Sequence, residues 1–407
     1  MSDVTIPTEP VRGSSPFITG LGIAQICSWG SLYYSFPQIA AAMGADLGWS
    51  SAQLYGAATA GMLLSALVAI PAGSMIDRGR GRLVMAGGAL VAGLLLIGWS
   101  TVTDLLWYYL FVAGVGAMQA ATLYEPAFAV IARRAGPLHA RSGITALTLW
   151  AGFASTAFFP LVEFLLAHVG WRGALQVLGG INIIVCAGLY ILVIDPRRDQ
   201  YRPTHSGGKG RKGALRVALA KPVFWALAAS FAAFAVFFSA LTYHLYPLFQ
   251  QRGLDPTGIV FAIALIGPAQ VGGRLLISLF APKVTGAQLG AAIVLCFPVS
   301  VLVLLFGPDQ LWVACLATVI YAIGTGIMTI VRGIVIPEMI SRENYGAISG
   351  AISACMLLAR AIGPVAAAWI MLATGGYTGT LVTMLAVSVI IVLCFWAAAF
   401  AARRTTE

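Results

Sequence analysis

The sequence predicts an all-α membrane protein with about twelve spans, arranged as two pseudo-symmetric bundles of six helices. Of the 407 residues, 59% are hydrophobic and only 9% are charged, whereas soluble domains carry about 25% charged residues. Apolar runs of about 20 residues, the length that crosses a bilayer, recur along the whole chain. So little charge cannot cover a water-exposed surface, and this composition excludes a soluble enzyme.

The apolar runs predict six spans in each half of the sequence. In the first half they are Phe17–Met43, Ala52–Ile76, Leu83–Thr101, Leu105–Ala132, Gly143–Val169 and Arg172–Ile194. In the second half they are Val223–Phe249, Gly258–Phe280, Leu289–Phe306, Leu311–Val335, Ala347–Met371 and Gly379–Ala402. The one long connection is rich in Gly, Arg and Lys, as in a flexible linker. We expect tails at 1–15 and 404–407, bundles at 16–195 and 222–403, and a linker at 196–221.

The basic residues predict the orientation of the chain in the membrane. Of the 24 Lys and Arg residues, 19 lie in the tails and the connections on the side of the termini. The opposite connections hold only Arg172 and Arg252. Because basic loops stay in the cytoplasm, both termini are predicted to be cytoplasmic, with the chain spanning the plasma (inner) membrane several times.

The two halves share a local sequence pattern. Leu166–Leu175 and Leu372–Leu381 both follow L-A-x-x-G-[W/Y]-x-G-x-L, at an offset of 206 residues. Each stands between the fifth and sixth predicted span of its half. The pattern indicates a parallel repeat about an axis along the membrane normal, a type of fold that places its substrate site where the halves meet.

The connection after the second span carries a recognisable motif. It reads Gly73-Ser-Met-Ile-Asp77-Arg78-Gly79-Arg80-Gly81-Arg82. This resembles the signature G-x-x-x-D-[RK]-x-G-[RK]-[RK] of the major facilitator superfamily, with the glycine and one basic residue exchanged at positions 80 and 81. The resemblance implies the major facilitator fold and transport as the activity. In this loop we expect Asp77 to cap a neighbouring helix and the arginines to anchor at the anionic leaflet.

Other pieces resemble the monocarboxylate branch of that superfamily and its bacterial oxalate/formate relatives. They are Trp29-Gly30, Tyr33-Tyr34, Gly48-Trp49, Gly170-Trp171-Arg172-Gly173, His244 and Arg274. In that branch the arginine of the eighth span grips the substrate carboxylate, which implies this role for Arg274. The acidic residue that many animal members carry one turn earlier is replaced by Gln270, and their lysine in the first span is absent. The scheme of proton coupling in those relatives therefore cannot be applied directly to this sequence.

Ionisable residues inside spans mark functional candidates, because each costs about 2.5–3.5 kcal/mol on insertion scales. A guanidinium binds a carboxylate through two parallel hydrogen bonds, so Arg274 is predicted to bind substrate; a structural ion pair is the alternative. We expect His244 to be a ligand or proton relay, or else a satisfied interfacial side chain. Glu163 is predicted to be structural. The predicted substrate-binding set is Arg274, His244, Tyr34, Tyr124 and Arg360.

Glu125 and Arg332 occupy pseudo-symmetric positions. They lie 207 residues apart, close to the offset of the repeat, in the fourth and tenth spans that line the cavity in this superfamily. Three hypotheses stay open for them. They form a gate that closes the cytoplasmic side, or Glu125 carries the coupling proton, or each pairs within its own half. His244 is a further candidate for proton coupling.

These patterns predict a secondary transporter that moves a small organic anion, expected to be a monocarboxylate, by proton coupling or anion exchange. The alternatives are a drug or metabolite exporter of the same superfamily and, from another class, a membrane-embedded sensor or lipid-modifying enzyme. Two signatures of drug/proton antiporters are missing, which weakens the hypothesis of a drug exporter. No catalytic cluster, phosphate-binding loop or metal-ligand spacing stands out. We expect a monomer in the lipid bilayer with no cofactor, no metal and no nucleic-acid partner.

The orientation is testable with reporter fusions. A cytoplasm-active reporter joined at Gly207 and a second one joined after Glu407 should both be active, because basic connections stay inside. A fusion at Asp309, in a predicted outer connection, serves as the opposite control. Periplasmic activity at Gly207 or at the C-terminus would overturn the orientation.

Overall fold

The computed structural model describes residues 15–198, 219–280, 284–340 and 345–404, and within these ranges the regular structure is entirely helical. The helices of the first half are α1 (Pro16–Trp29), α2 (Phe36–Leu47), α3 (Ser51–Asp77), α4 (Gly81–Trp99), α5 (Leu105–Thr122), α6 (Tyr124–Ala151), α7 (Ala154–Gly180) and α8 (Ala187–Val193). Two π-helical segments, Gly30–Tyr34 and Ile181–Cys186, interrupt the first and the last predicted span of this half.

The second half is built in the same way. Its helices are α9 (Pro222–Gln251), α10 (Pro256–Ala264), α11 (Ile266–Phe280), α12 (Gly286–Ile293), α13 (Cys296–Phe306), α14 (Leu311–Met339), α15 (Tyr345–Thr374) and α16 (Tyr377–Arg404). Most of the predicted linker at 196–221, the N-terminal tail and residues 405–407 lie outside the described residues. The predicted bundle boundaries therefore stay predictions.

The helices fit the predicted count of spans. Within the described ranges, 10 helical stretches are long and apolar enough to cross a membrane. One of them, Gly143–Val193, has 51 residues, and Gly170 breaks it at φ 65 where the fifth predicted span gives way to the sixth. The continuous helical run from Pro16 to Leu47 supplies the first span. One boundary differs, since α6 continues to Ala151 across the predicted connection between spans four and five.

The described residues fall into two compact units. The first comprises those of Met1–Ser35, Leu64–Phe158 and Leu165–Thr204. In its core, Gln25 on α1 donates from Nε2 to the carbonyl of Thr122 at 2.6 Å and to the hydroxyl of Tyr190 at 3.0 Å. The side chains of Gln25 and Tyr190 are fully buried. These bonds fasten α1 to α5 and α8 inside an otherwise apolar interior.

The second unit comprises the described residues of Phe36–Leu63, Phe159–Phe164 and His205–Glu407. Its central helix α9 packs against α15 and α16. At the crossing with α15, a Cβ on Gly363 would stand 2.2 Å from the Oγ of Ser239 and 2.5 Å from the carbonyl of Val236. Only glycine permits this approach. The unit also takes in α2, the first half of α3 and a short part of α7.

Candidate functional site

Arg274, the predicted substrate ligand, lies within α11 in the second unit and is 8% exposed. Its Nε donates to the carbonyl of Gly326 on α14 at 3.0 Å, and its Nη2 donates to the hydroxyl of Thr329 at 3.3 Å. Thr329 is itself bound to the same carbonyl, at 2.7 Å. The guanidinium is thus anchored through Nε, while the Nη2 contact is longer than the 2.7–2.9 Å usual for a charged hydrogen bond.

The two glycines before Arg274, Gly272 and Gly273, differ in their surroundings. A Cβ on Gly272 would meet nothing within 4 Å, which agrees with open space. Gly273 instead packs against α14, where its Cβ would lie 3.3 Å from Ile323. Gly272 therefore provides space, whereas Gly273 serves the contact between helices.

A stripe of hydroxyl groups on α14 accompanies Arg274 and was missed by the sequence analysis. Tyr321, Thr325 and Thr329 follow one another at intervals of four residues, on one face of the helix. Tyr321 exchanges a 2.6 Å hydrogen bond with Thr242, and Thr325 accepts from Nε2 of Gln270 at 3.2 Å. The interval of four was visible in the sequence. Its connection to α9 and α11 was not.

Arg360, the second predicted anion contact, lies on α15 and is half-buried. Its guanidinium carbon stands 5.6 Å from the ring centroid of Phe238 on α9, within the range of a cation–π contact. The ring of Phe238 stacks in turn on Tyr321 at 6.5 Å. This chain of contacts connects Arg360 to one end of the hydroxyl stripe.

His244 is held on both ring nitrogens in this structure. Its side chain is 1% exposed. Nε2 lies 2.9 Å from the carbonyl of Pro364, and Nδ1 lies 2.8 Å from the hydroxyl of Tyr377. Since a carbonyl only accepts, Nε2 carries a proton, while the hydroxyl of Tyr377 can donate to a bare Nδ1 or accept from a protonated one. This geometry matches the alternative of a satisfied side chain; binding of substrate or protons by His244 stays a prediction.

Tyr34 and Tyr124 come together in an aromatic cluster of the first unit. Trp29 lies between them, with ring centroids 6.1 Å from Tyr34 and 4.8 Å from Tyr124. Tyr33 packs on Trp29 edge to face at 5.4 Å, and Phe128 stacks on Tyr124 at 5.1 Å. The π-helical turn at Gly30–Tyr34 supplies Tyr33 and Tyr34 to this cluster.

Glu125 and Arg332 are less enclosed than expected for buried charges. Glu125 begins the first turn of α6 and is exposed. Arg332 on α14 is half-buried, and its Nη1 lies 3.6 Å from the sulfur of Met356 on α15. Their role as a gate or proton site stays a prediction.

The signature loop is stabilised by arginines from α6. Nη1 of Arg133 donates to the carbonyl of Asp77 at 2.6 Å, two residues before Gly79, which turns the chain at φ 83. The neighbouring Arg134 donates to the carbonyl of Val193 at 3.1 Å and covers the ring of Phe17.

Within the loop itself, Nε of Arg82 donates to the carbonyl of Ile194 at 2.5 Å, at the end of α8. Gly73 lies in open surroundings. Arg78 and the side chain of Asp77 are exposed, so capping of a neighbouring helix by Asp77 stays a prediction.

The family of this chain follows from comparison with known proteins. The profile of the Major Facilitator Superfamily matches residues 21–309. The chain belongs to this superfamily, and it is a transporter rather than an enzyme.

Two curated relatives are similar at low identity. Monocarboxylate transporter 11 of Homo sapiens is 27% identical over 325 residues, which cover 77% of this chain and 68% of that protein. Monocarboxylate transporter 13 of Bos taurus is 23% identical, covering 74% of this chain and 69% of that protein. This similarity agrees with the expected monocarboxylate branch.

Solved structures of transporters share the fold. A bacterial homologue of the human lysosomal transporter Spinster has a TM-score of 0.73 at 18% identity, covering 96% of this chain and 98% of that one. The nucleoside transporter NupG gives 0.72 at 12%, covering 94% and 98%. The human organic anion transporter MFSD10 gives 0.65 at 16%, covering 93% and 99%. The predicted major facilitator fold is thereby confirmed.

His244 allows a test of its structural role. In His244→Leu the hydroxyl of Tyr377 loses its partner and the carbonyl of Pro364 loses a donor. Since each buried group left unpaired costs about 1–3 kcal/mol, the melting temperature in detergent should fall by several degrees. Thr103→Leu, at an exposed position before α5, is the control and should change the melting temperature little. An unchanged melting temperature in His244→Leu would contradict this role.

Proposed function

We propose that this transporter moves a small organic anion, a monocarboxylate, across the plasma membrane by alternating access. The observation that carries the proposal is Arg274, a cation buried in a membrane-spanning helix. Its Nε is anchored to a backbone carbonyl, while its Nη2 rests on the hydroxyl of Thr329 at 3.3 Å. A carboxylate accepts shorter, charge-assisted hydrogen bonds from a guanidinium than a hydroxyl does. A substrate anion would therefore displace Thr329 from Nη2 of Arg274.

The surroundings of Arg274 favour a small anion. The hydroxyl stripe of α14 supplies neutral hydrogen-bonding groups, which orient a substrate without adding charge. Arg360 stands as a second cation on α15, and Tyr34 and Tyr124 are proposed to contact the apolar part of the substrate. The names of the two curated relatives support a monocarboxylate.

The coupling is proposed to be to protons or to exchange with a second anion. The termini are proposed to be cytoplasmic and the protein to be a monomer. From their pseudo-symmetric places in the sequence, Glu125 and Arg332 are proposed to pair when the cytoplasmic side closes. The exposure of Glu125 is compatible with a state in which this side is open and both charges are hydrated.

Arg274→Lys tests the substrate proposal. Lysine keeps the charge but loses the planar fork, so binding of the transported monocarboxylate should weaken by about 1.5–3 kcal/mol. The measurement is radiolabelled uptake into proteoliposomes from a panel of monocarboxylates, with and without a pH gradient. A nucleoside and a cationic dye in the same panel test the competing classes of substrate.

Arg252→Lys is the matched control for this experiment. Arg252 follows α9 and forms an ion pair of 3.2 Å with the exposed Asp309, so the same exchange there should leave uptake near the wild-type value. Near-normal affinity in Arg274→Lys would remove Arg274 from the site. Uptake of the nucleoside or the dye, with no monocarboxylate transported, would reject the substrate class.

The pair Glu125–Arg332 is tested by charge reversal. Glu125→Arg and Arg332→Glu should each raise the labelling of cysteines placed in the cytoplasmic cavity, because the closed state would bury an unpaired charge. The double variant should restore part of the wild-type value. Strictly additive effects in the double variant, or no effect in either single variant, would exclude the gate.

A further inference from the structure

Glu163 is a carboxylate inside a membrane-spanning helix that the proposed transport site does not use. It lies on α7 in the short stretch Phe159–Phe164 that belongs to the second unit, and it is half-buried. Its Oε2 accepts hydrogen bonds from Nε2 of Gln38 on α2 at 2.8 Å and from the hydroxyl of Tyr246 on α9 at 3.2 Å. One oxygen thus joins three helices.

A second set of contacts fastens the same turn of α9. Tyr55 on α3 donates to the carbonyl of Tyr243 at 2.9 Å, and its ring stacks on His244 at 4.3 Å. The ring of Phe36 lies 5.1 Å from that of Tyr243. We call these first-half residues (Phe36, Gln38, Tyr55 and Glu163) together with Tyr243, His244 and Tyr246 the clamp. By the predicted topology the clamp lies toward the outer side.

The charge of Glu163 is held by neutral donors. Among the residues that the structure describes, it forms no ion pair, and its two partners are an amide and a phenol. The titratable groups facing it from α9 are Tyr246 and, two residues earlier, His244, whose two nitrogens are both occupied. The group that α2 presents to it, the amide of Gln38, does not titrate. A proton arriving at Glu163 therefore changes the charge of the clamp without a compensating cation nearby.

We propose that Glu163 is a proton-binding site of this transporter and that its ionised form keeps the clamp closed. An ionised carboxylate makes hydrogen bonds about twice as strong as a neutral acid does. Protonation at Glu163 weakens the bonds from Gln38 and Tyr246 and favours release of α2 and α3 from α9. Acid then opens the clamp and neutral pH closes it. This inference rests on the proposed function, because opening of the clamp is a step of alternating access.

The test follows the opening of the clamp without any substrate. Thr59 stands one turn after Tyr55 on α3, and its hydroxyl oxygen is buried, so a cysteine there is protected while the clamp is closed. In a background without the native cysteines, Thr59→Cys is labelled with a methanethiosulfonate reagent at about pH 7.5 and about pH 4, above and just below the reference titration of a glutamate carboxyl. The rates are normalised to Thr103→Cys, at an exposed position, at the same pH.

The normalised labelling should rise about twofold in acid, because at about pH 4 roughly two-thirds of an ordinary glutamate carboxyl is protonated and only that fraction loses its charge-assisted hydrogen bonds. Glu163→Gln imitates the protonated acid, so its labelling should be high at both pH values. Tyr246→Phe removes one donor and should give a higher rate at neutral pH with a smaller acid response. Glu163→Asp keeps a titrating carboxylate and should keep a response to acid.

Asp255→Asn is the matched control, because Asp255 is an exposed carboxylate that caps α10 and asparagine caps nearly as well. It should show the full acid response. A response that survives in Glu163→Gln, or a wild-type rate independent of pH, overturns the proposal. If Glu163→Gln does not fold, Tyr246→Phe and Glu163→Asp decide in the same way: a wild-type response in Tyr246→Phe, or none in Glu163→Asp, overturns it. Failure of monocarboxylate uptake with the acid response intact rejects only the proposed substrate.

Discussion

Inside a bilayer no water is present to satisfy a polar group, so the backbone must pair within the protein and a polar side chain is costly unless it finds a partner there. This constraint explains where polar side chains occur in a chain with so few of them. Gln25 bridges α1 to a carbonyl of α5, and Arg274 is anchored on a carbonyl of α14. Each of these polar side chains fixes a contact between helices that apolar packing alone would leave free to slide.

The same constraint separates two kinds of arginine. Around the signature loop, Arg82, Arg133 and Arg134 donate to backbone carbonyls where helices finish, and so stabilise ends that lack intrahelical donors. Arg274 and Arg360 lie within spans instead, beside hydroxyl groups and an aromatic ring. A charge inside a span is costly, which is why such residues are candidates for function.

Much of the fold was predictable because hydrophobic length and the placement of basic residues are local properties of the sequence. The superfamily and the candidate Arg274 followed from short motifs. The contacts of Glu163 did not follow, since its partners Gln38 and Tyr246 are 125 and 83 residues away. The occupied nitrogens of His244 were equally hidden, because Tyr377 is 133 residues distant. Periodicity locates a residue on a helix, but it does not tell which other helix the residue meets.

The π-helical turn at Gly30–Tyr34 has a consequence for the aromatic cluster. A π turn accommodates one more residue than an α turn, and each residue advances a helix by about 100°. If this turn relaxed to an ordinary α-helix, the side chains after it would rotate by that angle relative to Trp29. One of these two neighbouring tyrosines would then point where the other points now, and the other would turn about 100° further round the helix. One change in the winding of a single turn is therefore enough to switch the ring that the first span presents.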